Sequence, residues 1–178
     1  MHKFRQLRLL LLYLLTRGTR DPLRPVTFRC LVTPLDVEFT RVSSHIYMAF
    51  AGLGRWYFSH HNVDWRGLLR ERWAPLTHSE LVNYRRGAKL FTRVKVTTRL
   101  IWWDDKMGYF EHRMTQGETL SAIVYSRGTF YRGRERVPPR HCILGLPDAP
   151  PMARPAIVDY WDDSGAHFQR AIEDAATR

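Results

Sequence analysis

Between Ser43 and His60 the chain encodes a helix with almost no face to give to water. Apolar residues at positions 46, 47, 49, 50, 53, 56, 57 and 58 cover much of its circumference, and Arg55 is its one charge. A helix that is apolar nearly all round is buried, so the rest of the chain must wrap it. Gly52 and Gly54 cost helix stability, and their presence points to close packing against another element. Ser43 or Ser44 supplies the cap that opens the helix.

The wrapping material lies on both sides. Val26 to Thr33 is rich in β-formers, and Pro34 ends it because proline cannot donate to a sheet ladder. Downstream of Leu76 the pattern changes to period two. His78–Arg85, Phe91–Trp103, Gly108–Thr115 and Leu120–Tyr131 are the predicted strands. In the second of these, Val94, Val96, Thr98, Leu100 and Trp102 share one face, and Arg93, Lys95, Thr97 and Arg99 the other. This predicts an α+β architecture: one strand, a central helix, and a four-stranded antiparallel meander wrapped around it. Shorter helices are expected at 65–72 and after Val137-Pro138-Pro139. Residues 147–156 are a proline-rich linker and 166–176 a terminal helix. The expected division is an N-terminal segment over 1–24, a main domain over 25–146 and a C-terminal segment over 147–178. Such a sheet exposes a long edge strand, and edge-to-edge dimerisation would cover it.

At 178 residues and 44% hydrophobic, the chain can bury a single-domain core. Its 28 basic against 17 acidic residues give +11, which attracts polyanions of any kind: nucleic acid, anionic lipid or a phosphorylated small molecule. Cys30 and Cys142 have no disulfide or zinc spacing, and a cytoplasmic location is expected. Residues 1–17 combine basic side chains with the apolar run Leu9–Leu15, far shorter than the roughly 20 residues that span a bilayer. Three readings are open there: a helix lying in the membrane interface, which would make the protein peripheral, a helix packed on the protein or a second subunit, and a cleaved signal.

The loop between the first strand and the helix holds the candidate chemistry. Asp36 is a carboxylate beside the start of a buried helix, where it can serve as base or nucleophile or simply cap its loop. Glu38 is the second acid there. Arg85, Arg86 and Lys89, together with Arg93, lie near strand ends and can meet phosphates. His60 and His61, adjacent on a helix, are expected to point apart, and no metal or other cofactor is expected. Nucleic-acid binding would use Tyr125, Arg127, Phe130, Tyr131, Arg132 and Arg134 as a stacking surface, without a glycine-rich RNA-binding signature, and is disfavoured.

Two downstream motifs fit a known family. Trp103-Asp104-Asp105-Lys106-Met107-Gly108-Tyr109-Phe110-Glu111 and Arg136-Val137-Pro138-Pro139 resemble segments of hotdog-fold acyl-CoA thioesterases of the 4-hydroxybenzoyl-CoA type, in the subgroup with an apolar N-terminal helix. The resemblance covers about residues 1–145. It implies a hotdog fold, a homodimer or homotetramer, and an acyl-CoA or similar acyl thioester substrate. By the same resemblance Asp36 is the catalytic acid, with Ser44 and Tyr47 beside it at the helix N-terminus and Arg85, Arg86 and Lys89 on the substrate. Thr40 or Arg41 stands where the family motif has histidine, and Ser43 and Ser44 replace its paired asparagines. A hotdog protein that binds an acyl group or a partner without hydrolysis is therefore the alternative. Hotdog hydratases place a histidine five residues after their acid; here that residue is Arg41, which cannot shuttle a proton.

Overall fold

The computed structural model describes residues 21–165. β1 (Val26–Leu31) runs through a 3-10 turn (Pro34–Asp36) and a small hairpin, β2 (Val37–Glu38) and β3 (Arg41–Val42), into helix α1 (Ser44–Asn62). Helix α2 (Trp65–Arg70) precedes β4 (Trp73–Tyr84), β5 (Arg93–Trp103), β6 (Gly108–Gln116), β7 (Thr119–Arg132), β8 (Glu135–Val137) and helix α3 (Pro139–Cys142). Residues 156–165 form a further helix, α4. The stretch 1–17 and the helix expected over 166–176 lie outside the described residues.

The sheet is antiparallel, in the order β1-β5-β6-β7-β4, with β8 added to β7. The expected four-strand meander is therefore corrected. β5, β6 and β7 do meander, but β4 pairs with β7 rather than β5, and β5 takes β1 as its other partner. The eight residues between Tyr84 and Arg93 are long for a hairpin loop and carry the chain across to the far side. β4 also begins five residues earlier than expected, through Pro75, which an edge strand tolerates because its outer edge needs no donor.

α1 lies against the inner face of this sheet. Tyr47, Phe50, Ala51, Leu53, Gly54 and Phe58 are buried, and Val94, Val96, Met114, Ala122 and Val124 meet its first half. Gly54 marks the closest approach: a Cβ there would overlap Thr98 Oγ1 and lie 3.1 Å from His112 Nδ1. Gly52 has no such neighbour and borders a cavity instead. The helix is not covered all round. Met48 and Trp56 are 40% and 48% exposed, on the flank that faces the free edge of β4.

A bulge between Leu100 and Trp102 breaks the expected one-face series. Leu100 stays inside, while Ile101 and Trp102 join Tyr109 on the outer face. Val158 and Trp161 of α4 are buried against them, so α4 is a cover for that part of the sheet.

Candidate active site

The two ends of α1 differ. At its N-terminus, three segments far apart in sequence converge. Tyr47, 2% exposed, accepts the Ala88 amide on its hydroxyl at 2.8 Å. Val42 N donates to Ala88 O, Leu90 N to Thr40 O and Phe91 N to Val32 O. Arg41 donates to Gly87 O at 2.9 Å and sits opposite Lys89. Tyr84 OH donates to Ser44 O at 3.2 Å. The loop carrying Arg85, Arg86 and Lys89 is thereby fastened to the Asp36 loop and to the start of α1, with all three cations exposed. The structure thus brings the six site residues expected from sequence to one end of the sheet. Arg41, noted in the sequence only as standing near the family's histidine position, and Tyr84 join them; Tyr84 did not stand out in the sequence, because it acts through a contact to the distant helix start.

Asp36 is 3% exposed. Its Oδ2 accepts the Thr33 amide at 2.8 Å and the Thr33 hydroxyl at 2.7 Å, and its carbonyl accepts the Ser43 amide. The carboxylate closes its own 3-10 turn, and the backbone of the same residue ties that turn to the helix start. Ser43 Oγ pairs with His45 Nδ1 at 2.8 Å, and Ser44 is exposed.

The second half of α1 borders a cavity of about 200 Å³. Gly52, Arg55, Trp56 and Ser59 form its helix wall, Pro75, Leu76 and Thr77 its β4 wall, and Phe110 and Phe130 line it further. Trp56 stacks on Trp65 with centroids 5.9 Å apart. Arg55 pairs with Glu80 of β4 beside the opening. The cavity is mostly apolar, with few polar groups, the usual make-up of a small-molecule site.

Between the two ends lies a buried polar layer. His112, fully buried, bonds to Thr98 Oγ1 at 2.8 Å and to Ser126 Oγ at 2.9 Å. Burial, and secondarily the Arg55 charge, hold its imidazole well below its ordinary pKa and so neutral. Its chain neighbour Glu111 is on the opposite face. Burial pushes that carboxyl up, but hydrogen bonds from Arg113, Arg99 and Tyr125 outweigh it and hold it below the usual range.

His60 and His61 do not point apart as expected. Their ring centroids are 4.7 Å apart, and both rings pack on Tyr57 near the C-terminal end of the helix. Burial, then repulsion from His61, lowers His60 to about 4. Among the described residues no group of three or more His, Cys, Asp or Glu could hold a metal ion. The aromatic and basic surface considered for nucleic acid is largely occupied. Tyr125 bonds Glu111, Arg127 bonds Ser79 and lies over Trp161, and Phe130 is buried.

An antiparallel sheet wrapped around one long helix, with α1 entering between the first and second long strands, is the hotdog fold, and solved structures share it. A probable thioesterase from Bartonella henselae superposes with a TM-score of 0.57 at 18% identity, covering 65% of this chain and all of that one. A thioesterase from Thermus thermophilus, complexed with coenzyme A and Zn, gives 0.56 at 18% identity, over 64% of this chain and 84% of that one. A Staphylococcus aureus hypothetical protein in complex with CoA gives 0.60 at 14% identity, over 68% and 80%. The thioesterase-like superfamily matches residues 32–157, and the chain belongs to it. The Drosophila melanogaster protein THEM6 is 26% identical over 84 residues, which is 47% of this chain and 44% of that relative. The chain is thus matched over less than half the length of that relative. No described helix is long and apolar enough to cross a membrane.

Proposed function

We propose that the chain binds an acyl thioester of coenzyme A and hydrolyses it at a site shared between two subunits. The observation that carries this reading is the separation of its two halves. Asp36, Ser44 and the cations of residues 85–89 are at the N-terminal end of α1. The cavity begins at Gly52, eight residues along the helix, or roughly 12 Å at 1.5 Å per residue. The cavity lies on the helix face of Gly52, Arg55, Trp56 and Ser59, against β4, while Gly54 is pressed on the sheet on another face.

Antiparallel pairing of β4 with its own copy joins the halves. The free edge of β4 is one support, since long unpaired edges invite pairing. Met48, Trp56, Leu76 and Tyr84, all at least 40% exposed, are a second, because they line the same flank as apolar surface awaiting cover. A two-fold axis through the middle of β4 sets Tyr84 of one copy beside Trp73 of the other. The partner's helix N-terminus and cations then flank this chain's cavity. The acyl group fills the cavity and the coenzyme phosphates meet Arg85, Arg86 and Lys89. Asp36 supplies the carboxylate that attacks the carbonyl or activates water, and the first turn of α1 polarises the carbonyl oxygen.

A second reading has its own support. Asp36 is buried and its Oδ2 already takes two bonds from Thr33, as a purely structural aspartate would. In that reading the site binds the thioester without cleaving it. Turnover of an acyl-CoA panel by wild type and Asp36→Ala, with binding of a non-hydrolysable acyl-CoA thioether measured alongside, separates the two. Hydrolysis lost in Asp36→Ala with binding retained supports catalysis. Binding without hydrolysis in wild type supports the second reading, and equal hydrolysis in both proteins removes Asp36 from the mechanism.

A further inference from the structure

The exposed apolar side chains fall into groups, and the cavity flank accounts for only one. A second group, Leu31, Leu35, Phe39 and Phe91, is 50%, 70%, 101% and 69% exposed. It lies at the opposite edge of the sheet, where β1 ends. Phe39 is the tip of the β2–β3 hairpin, and the Leu90 amide bonds the neighbouring Thr40 carbonyl, so the Phe39 and Phe91 turns adjoin. Both phenylalanines have left-handed backbone, φ 59° and 58°. Glycine or asparagine would adopt that conformation at less cost. An exposed phenylalanine there gains nothing for the fold in return.

The same edge is cationic. Arg29, Arg93 and Lys95 are exposed on the outer face of β1 and β5. Arg29 stands directly across from Lys95, and Leu31 across from Arg93. Like charges in opposed positions destabilise a sheet. Arg41 and Lys89 extend the positive zone along the rim. The exposed acids near it are Glu38 on the hairpin and Glu118 in the β6–β7 turn; Glu111, on the same outer face, is taken up by Arg99 and Arg113.

We infer that this rim is a docking surface for an anionic lipid bilayer, with Leu35, Phe39 and Phe91 entering the head-group boundary and Arg29, Arg93 and Lys95 on the lipid phosphates. Apolar tips ringed by cations suit that partner, because each component is favourable at a charged interface. Nucleic acid fits less well. Its bases need aromatic faces set among the cations, whereas Phe39 and Phe91 stand at turn tips beside the aliphatic Leu35, and the outer strand positions that carry Arg29, Arg93 and Lys95 hold no aromatic residue. Its committed residues, Arg29, Leu35, Phe39, Phe91, Arg93 and Lys95, lie at the β1 edge, the opposite end of the strand order from β4, so they stay open in the dimer proposed above and do not depend on it.

The test uses the full chain, so that residues 1–20 contribute equally to parent and variants. Sedimentation is measured with vesicles of phosphatidylcholine alone and of phosphatidylcholine mixed with phosphatidylserine. The parent is expected to bind the mixed vesicles preferentially. F39G/F91G should lose about tenfold or more of that binding, with a melting temperature unchanged or raised because backbone strain is relieved. R29E/K95E should lose about fivefold or more per cation removed, the equivalent of about 1 kcal/mol each. Undiminished binding by both variants overturns the inference, as does equal binding to neutral and mixed vesicles. A smaller solution assembly for F39G/F91G would overturn it in favour of a second copy on the rim. Retention of single-stranded RNA by the parent in place of vesicles would overturn it in favour of nucleic acid.

Discussion

The N-terminal end of α1 adjoins an open, mostly polar pocket of about 430 Å³ lined by Tyr84, Arg85 and Arg86, whereas its second half borders a smaller apolar cavity of about 200 Å³ lined by no acid. At the first, Asp36, Tyr47 and Arg41 each make a hydrogen bond to a neighbouring loop or turn, which leaves a tightly fastened end with cations on its surface. At the second, from Gly52 onward, single residues from α1, β4, β6 and β7 line an apolar cavity. The difference teaches that the one helix borders two unlike surroundings, polar and cationic at its start and apolar along its second half, which is the basis of the shared site proposed above.

Breaking the contact of α1 with the sheet should have the largest effect. In Gly54→Val the added atoms meet Thr98 and His112, neither of which can move without disturbing the buried polar layer. Urea denaturation should show a loss of about 3 kcal/mol, the upper range for overpacking a core, and a loss small enough to be lost in the error would mean that the helix can slide.

Acid should loosen the same contact by a smaller amount. His112 is neutral in the folded protein because its pKa lies well below the ordinary 6.5. Its contribution is fully present above the unfolded value and declines as pH falls below about 6.5, by about 1.4 kcal/mol per pH unit while the folded imidazole stays neutral. His60 and His61, also lowered, act in the same direction. Denaturation midpoints at pH 7.0 and pH 5.5 (two settings of roughly the required spread) should differ, and replacing His112 with asparagine should flatten the slope.

The sequence carried much of this division, and physics explains what it did not carry. The nearly unbroken apolar surface of residues 46–58 required a wrap, and the period-two runs supplied the strands for it. Strand order was harder to read, because β4 and β5 are consecutive in sequence and only the length of the 85–92 connection hints that they part. The bulge at Leu100–Trp102 was invisible, since Leu-Ile-Trp-Trp offers apolar residues to either face. The cluster at the N-terminal end of α1 was legible only as residue types, Asp36 and the cations of 85–89, and their convergence there was not. The cavity was not, because it is assembled from isolated residues of several elements that carry no shared spacing. Thr98 and His112 become partners only through the β5–β6 register.

The smallest effect should come from the charged end. Arg85→Ala, Arg86→Ala and Lys89→Ala together remove exposed cations, so the melting temperature should hold. Binding of the acyl-CoA thioether should weaken by about tenfold at low salt and by less at high salt. Equal binding at both salt concentrations would leave those cations without a role.

Mixed dimers test the sharing of the site most directly. One parent carries Arg85→Ala, Arg86→Ala and Lys89→Ala; the other carries Gly52→Trp, which fills the cavity. Neither homodimer should bind the thioether well. Mixed dimers should regain one site per dimer, because the intact cations of one subunit meet the open cavity of the other. If both halves of the site belonged to a single chain, every mixed dimer would remain as defective as its parents, and the shared site would be contradicted.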